Sequence, residues 1–223
     1  MPDSTLNWKP VPLPVPVTLT GRWVTLEPLT AAHHTHALWT AGHGHDEVWA
    51  WLADGPYGSE EELAEALELK QAGDAARFFA ILPGSTSDAK GYASLMRMDP
   101  ANGVIEVGNV MFSPALQRTQ AATEAMFLMA RHVFEDLGYR RYEWKCNALN
   151  LPSRRAAERF GFTYEGVFRQ HMVVKGQNRD TAWYSLLDSE WPTRKRAFEA
   201  WLAEENFDAD GQQKVALGSL MKG

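Results

Sequence analysis

Residues 104–146 constrain the fold more than any other stretch. Residues 104–112, VIEVGNVMF, are rich in β-formers and read as a strand, which Ser113-Pro114 ends. Ala122, Ala125, Met126, Met129, Ala130, Val133, Phe134 and Leu137 then recur at three and four. That is the period of a helix with one apolar face, and Gly138 follows as its C-cap. Residues 140–146 return to strand. A strand, a helix and a strand in succession imply one parallel pair joined by a right-handed crossover.

The flanking segments complete a sheet around that unit. Residues 7–20, NWKPVPLPVPVTLT, hold four prolines at even positions, favour polyproline II and predict an arm laid over the domain rather than a central strand. Residues 21–27 alternate as a first strand, residues 30–40 read as a helix, and AGHGHDE follows as a flexible turn. A second helix over 59–71 starts at a capping box, Ser59 with Glu62. Residues 77–82 and 91–98 are strands, with PGSTSD and DPANG as turns. After the crossover come a short helix over 152–160 ended by Gly161, strands over 162–174 and 180–187 around KGQN, and a helix over 190–205 with Phe198, Trp201 and Leu202 as its apolar side. Consecutive strands imply antiparallel hairpins. The expected fold is therefore α/β of the α+β kind: a mixed, mostly antiparallel sheet with one central parallel strand pair, flanked by helices. Residues 1–20 are expected as the arm, 21–190 as the domain, and 191–223 as a C-terminal helix and a tail that is mobile from Asn206.

Composition narrows the function classes. With 45% hydrophobic and 22% charged residues over 223 positions, the chain has the balance of a globular protein. No apolar run approaches the ~18 residues that span a bilayer, and MPDSTLNWKP has no secretory pattern. The single Cys146 excludes an intrachain disulfide and a Cys-based zinc cluster, so a reducing, cytoplasmic location is expected. Net charge is −6, which argues against direct nucleic-acid binding. Residues 137–180 nevertheless hold nine Lys/Arg against four acids, +5, leaving −11 for the remainder. Residues 46–68 hold eight acids and no Lys or Arg. Both blocks also fit solvated helix faces.

Two clusters invite chemistry. The turn over 113–124, SPALQRTQAATE, brings small residues to the start of a helix, where free N–H groups bind phosphate and Arg118 adds a charged donor. A plain strand-to-helix turn accounts for the same residues. Five of the seven histidines fall between His33 and His45, but HGHD misses the HxHxDH spacing, and an exposed polar helix and loop fits them better than a metal site. No metal is expected. Cys146 reads as a buried, inert thiol. Trp39, Trp49, Trp51 and Tyr57 serve as core or, if exposed, as an aromatic wall beside the acids.

The run EVGNVMFSPALQRTQAATEA, from Glu106 to Ala125, resembles the acetyl-CoA-binding motif of the GNAT superfamily of N-acetyltransferases. NALNLPSRRAAERFGFTYEG resembles the segment that follows it there, and RDTAWYSLLDSEW resembles the final strand of the Rim-type branch. The resemblance runs from about Leu19 to Trp191. It implies the GNAT fold and transfer of acetyl from acetyl-CoA to an amine. It places the cofactor on Val110, Met111, Phe112, Gln117, Arg118, Thr119, Gln120, Ala121, Ala122, Thr123, Asn147, Asn150, Ser153 and Arg155, with Arg154 and Arg159 as further phosphate candidates. Backbone N–H groups near Val110 or Met111 would hold the oxyanion. Ser153 would protonate the leaving thiolate and Glu106 would act as base. Glu106 equally fits an ion pair, Asn147 and Asn150 equally fit turn and cap roles, and the three arginines a solvated face. The family's first loop glycine is Gln120 here, its tyrosine acid is Ala157, and the Rim-type glutamate base falls on Met172.

Other readings remain open at this level: a non-catalytic acyl-CoA-binding module, and more remotely a metal-dependent hydrolase. The acceptor is an amine, either a protein N-terminus or a small molecule. The acid block with its aromatics suggests a cationic one. The oligomeric state is open, a homodimer included, and no membrane partner is expected.

Overall fold

Eight strands form one sheet in the computed structural model, which describes residues 6–84 and 88–222. They are β1 (Leu19–Thr20), β2 (Val24–Pro28), β3 (Ala76–Pro83), β4 (Gly91–Asp99), β5 (Val104–Phe112), β6 (Arg141–Asn147), β7 (Thr163–Val174) and β8 (Gln177–Leu187). The helices are α1 (Ala31–Gly42), α2 (Glu60–Ala72), α3 (Gln120–Arg131), α4 (Leu151–Arg159), α5 (Trp191–Leu202) and α6 (Leu217–Leu220). The strand order is β1-β2-β3-β4-β5-β6-β8-β7. Every neighbouring pair is antiparallel except β5 and β6, the two strands that α3 connects. The mixed sheet with one parallel pair is thus the fold that the element order required.

Strand alternation sorts the side chains into two cores. Phe79, Ile81, Ala93, Leu95, Ile105, Val107, Tyr142, Trp144 and Tyr184 meet α3 and α5 on one face. Residues 121–130 of α3 are all buried, because the helix lies between the sheet and α5. Phe127 stacks on Trp191 and packs on Phe198, with ring centres 6.0 and 5.4 Å apart. On the other face Ala80, Leu82, Tyr92 and Met111 meet Leu38, Trp49, Leu63 and Leu67 of the α1–α2 lobe. Ser59 caps α2 by accepting the Glu62 N–H, while the Glu62 carboxylate accepts the Gly58 N–H at 2.7 Å.

Several boundaries differ from the sequence expectation. The strand expected over 21–27 begins only at Val24, because residues 21–23 turn around a buried carboxylate: Arg22 and Trp23 donate their N–H groups to Glu124 at 2.9 and 2.5 Å. Leu19–Thr20, expected in the arm, pair with the edge of β2 once the prolines have ended. The proline-rich segment contacts the sheet-and-helix body: Val11 N donates to Pro100 O at 3.1 Å, and Tyr139 Oη to Pro12 O at 3.1 Å. The last turn of the long helix, 132–136, widens to a π-turn. The tail expected to be mobile packs back instead: Leu217 and Met221 are buried, and Asn206 Nδ2 donates to Trp201 O and Val215 O. Residues 1–5 of the arm and 85–87 of the PGSTSD turn lie outside the described residues. Among the described residues, no helix is long and apolar enough to cross a membrane.

Candidate active site

The parallel pair opens into a wedge. β5 and β6 are in register from Val104↔Arg141 to Val107↔Trp144, then run on to Phe112 and Asn147 without pairing. A bulge in β5 causes the separation. Tyr92 faces Met111 and Ser94 faces Gly108, so β5 carries an extra residue there. Asn109 takes a left-handed φ of 50° and donates from Nδ2 to Ser94 Oγ at 3.1 Å, and Ser94 Oγ donates to Gly108 O at 3.0 Å. At Gly108 a Cβ would lie 2.5 Å from Met96 Sδ, so a larger residue there would push the methionine side chain aside. The bulge also flips the strand's parity, which is why Met111 joins the second core although Ile105 and Val107 belong to the first. The stretch from Val110 to Phe112 thus has no β6 partner along its edge.

The turn into α3 closes one end of the wedge. Leu116 and Gln117 both donate their N–H to Ser113 O, at 2.9 and 3.0 Å, and Gln117 Nε2 donates to Phe112 O at 2.9 Å. Arg118 takes the left-handed backbone, φ 63°. Gln120 therefore needs no glycine, because the turn is completed two residues earlier and Gln120 simply opens the helix. Thr119 is the N-cap, its Oγ1 accepting the Ala122 N–H at 3.1 Å. The N–H groups of Gln120 and Ala121 have no acceptor within the helix and sit at its positive end. Thr123 Oγ1 accepts from Arg159 at 3.2 Å, so this arginine is directed to the helix start.

β6 and α4 form the opposite wall. Asn147 Oδ1 accepts the Leu149 N–H at 2.9 Å, and Asn150 Oδ1 caps α4 by accepting the Ser153 N–H at 3.0 Å. Both side-chain oxygens thus do turn and cap work. Ser153 Oγ accepts the Trp144 indole N–H at 3.0 Å and lies against Cys146. Burial pushes the Cys146 thiol up, against the pull of the Ser153 hydrogen bond and of Arg179 and Arg154. Arg154 donates to Tyr184 Oη at 3.0 Å, Arg155 is exposed, and Ala157 is fully buried in the core.

Glu106 sits just before the bulge, almost wholly buried, on the face opposite α3. Arg97 Nη1 donates to both of its oxygens at 2.8 Å, and Lys145 Nζ lies 2.9 Å from Oε2. Lys145 also contacts Glu143 at 2.6 Å, with its Nζ 3.8 Å from the Trp183 ring centre. Arg141 bridges Glu143 and Glu165 at 2.7 and 2.5 Å. The sequence reading missed Arg97, Glu143, Lys145 and Trp183. The available signal was β6 itself, whose Arg141, Glu143 and Lys145 alternate with the apolar Tyr142, Trp144 and Cys146.

The remaining clusters have structural partners. His34 Nε2 lies 2.8 Å from Glu27, His36 Nδ1 3.2 Å from Glu60, and His45 Nδ1 3.3 Å from Glu47. Among the described residues, no group of three or more His, Cys, Asp or Glu is placed to hold a metal ion. Within the acid block, Asp54 pairs with Lys70 and accepts from Tyr57 Oη at 2.7 Å, while Glu60, Glu61 and Glu62 form the first turn of α2. Trp49 and Tyr57 pack edge to face in the second core, and Trp51 is exposed. The aromatic wall for a cationic acceptor is therefore not formed by Trp49 and Tyr57.

Comparison with known proteins agrees with this geometry. Residues 24–163 match the acetyltransferase (GNAT) domain family. A crystal structure of a GCN5-related N-acetyltransferase from Brucella melitensis is 50% identical, covers 97% of this chain and 99% of its own, and superposes with a TM-score of 0.95. A GNAT-family structure from Chromobacterium violaceum is 40% identical over 86% of this chain and 98% of its own, TM-score 0.81. A Bacillus subtilis protein named for candidate ribosomal N-acetyltransferase activity, YdaF, is 31% identical over 105 residues; the match spans 57% of that relative's length and 47% of this chain. The overall fold is thus shared with these structures, and the chain belongs to the GNAT family of acetyltransferases.

Proposed function

We propose that the chain transfers acetyl from acetyl-CoA to a primary amine by direct attack in a ternary complex. The observation that carries this reading is the wedge: the β5–β6 ladder stops at Val107↔Trp144, and the unpaired Gln120 and Ala121 N–H groups open beside it. The residues fit such a donor. Gln117 to Thr123 would take its pyrophosphate on backbone N–H groups, with Arg118 and Arg155 as charged donors. Val110 and Met111 would offer backbone N–H groups to the oxyanion of the attacked thioester. Ser153 already accepts one hydrogen bond and keeps its own proton to give to the leaving thiolate.

The amine must be neutral to attack. Arg97 and Lys145 occupy three of the roughly four lone-pair positions on Glu106, which leaves one for a water that takes the amine's proton. The acceptor class includes protein N-termini, as the name of the YdaF relative suggests, and small-molecule amines. The buried free thiol of Cys146 suits a reducing cytoplasm. Calorimetric titration with acetyl-CoA, followed by thiol release over a panel of amines, tests the reading. Micromolar binding with thiol release supports it; no binding at high micromolar concentration overturns it. Binding without turnover would favour a non-catalytic acyl-CoA module, the reading to which Ala157 in place of the family's tyrosine points.

A further inference from the structure

Seven charged side chains from β4, β5, β6, β7 and β8 gather on the sheet face opposite α3. Glu165, Glu143 and Glu106 alternate with Arg141, Lys145 and Arg97, each carboxylate touching a cation at 2.5–2.9 Å. Three carboxylates against three cations leave no net charge. The seventh group is Arg179. Alternation along β8 puts it on the side of Thr181 and Trp183, across from Met172 of β7. Its Nε is completely buried and has no hydrogen-bond partner, and among the described residues it forms no ion pair. Trp183 Nε1, on the same face, is also buried and unpartnered.

The surroundings do not neutralise Arg179. Burial pushes its guanidinium pKa down; Cys146 and Glu106 pull it up, and Arg97 opposes them. Those groups are at the mouth of the wedge. The nearest strand neighbour with a carboxylate, Asp180, points to the other side and is occupied by Gln170 N at 2.7 Å and Asn178 Nδ2 at 3.0 Å. Near Arg179 a bulge in β7, with Gln170 at φ 49°, opens a groove of about 780 Å³ lined by Phe168, Arg169, Gln170, His171, Asn178 and Asp180, which Arg179 itself does not line. Arg179 is half-buried, and a guanidinium whose Nε is shielded and unpartnered is a ready donor to an oxyanion with paired acceptor atoms.

We infer that the acceptor amine carries an oxyanion group, a carboxylate or a phosphate, and that Arg179 binds this group on the face of β8 it shares with Trp183, whose Nε1 is a second donor. This deepens the acetyl-transfer reading and rests on it. It also reverses the charge preference that the acid block suggested, half of which is engaged by Lys70, at Asp54, or by the start of α2, at Glu60, Glu61 and Glu62.

The test is calorimetric titration of the full chain saturated with CoA. The probes are L-phenylalanine, L-phenylalaninamide and 2-aminoethyl phosphate, and the proteins are the wild type, Arg179→Gln and Arg179→Lys. One anionic probe should bind at least ~10-fold more tightly than the carboxamide, and which one does so distinguishes carboxylate from phosphate. Arg179→Gln should abolish the preference, and Arg179→Lys should keep part of it. CoA affinity should change less than about twofold in both variants. No anionic preference in the wild type, a preference that survives Arg179→Gln, or a parallel loss of CoA affinity overturns the assignment. Failure of the acetyl-transfer reading shows differently, as absent CoA binding in all three proteins, and the same titration without CoA then still reads the preference.

Discussion

The hydroxyl of Ser153 is fixed from two sides, by the Trp144 indole and by its own place in the first turn of α4. Asn150 rather than Ser153 caps that helix, so removing the hydroxyl should leave the fold intact. Ser153→Ala is expected to lower kcat by about 100-fold with acetyl-CoA affinity unchanged. Steady-state kinetics beside calorimetry checks this, and unchanged turnover would leave Ser153 as packing only. Glu106→Gln has two readouts. Chemical denaturation should show a loss of about 3 kcal/mol, because Arg97 and Lys145 lose a shared carboxylate. The rate should fall at neutral pH and partly recover at high pH, where more amine is already neutral. Parallel pH profiles would make Glu106 purely a partner of the two cations. Glu106 and Ser153 were legible in the sequence through their motifs. Arg97 and Lys145 were not, since their contact with Glu106 depends on the register Met96↔Glu106↔Glu143, which no local pattern states.

At the scale of elements, Thr119 holds both the loop and α3, donating to Leu116 O at 2.7 Å and accepting from Ala122 N. Thr119→Ala should cost about 1 kcal/mol, a melting-temperature drop of roughly 2–4 °C, together with weaker acetyl-CoA binding. Asp54 gives the α1–α2 lobe an acid sensitivity. Burial pushes its carboxyl up, but the Lys70 and Tyr57 hydrogen bonds outweigh this, and the net shift is down. A carboxyl lowered on folding contributes its stability above the unfolded value and loses it as pH falls through the folded one. That contribution should thus be intact at neutral pH and be lost progressively as pH falls below about 4. Asp54→Asn should destabilise at pH 7 and flatten the acid limb of a stability–pH curve. Elements were readable wherever apolar period and caps coincide, as in α2 and α3. The bulge at Gly108-Asn109 was not, because it follows from Met96 and Ser94 on the neighbouring strand.

For the whole molecule, the C-terminal segment is part of the core rather than an appendage. Leu217 is fully buried, and Arg194 donates to the Met221 carbonyl. Leu217→Ala should cost about 3 kcal/mol through the cavity it leaves, read as a lower urea midpoint with an unchanged slope. The sequence concealed this because residues 206–216 are mostly polar and show no period; the docking is made by a few apolar anchors and by Asn206.

The carboxylate of Glu124 that holds Arg22 and Trp23 spans 102 and 101 positions of the chain, and the Tyr139 hydroxyl on Pro12 spans 127. On a ribosome, the arm emerges well before the partners it rests on, which are made roughly ninety to a hundred and thirty residues later. Closing contacts of such range is slow relative to local helix formation. The order of assembly therefore runs against the order of translation: α3 and the strands around it must form before the chain's own beginning has a surface to lie on.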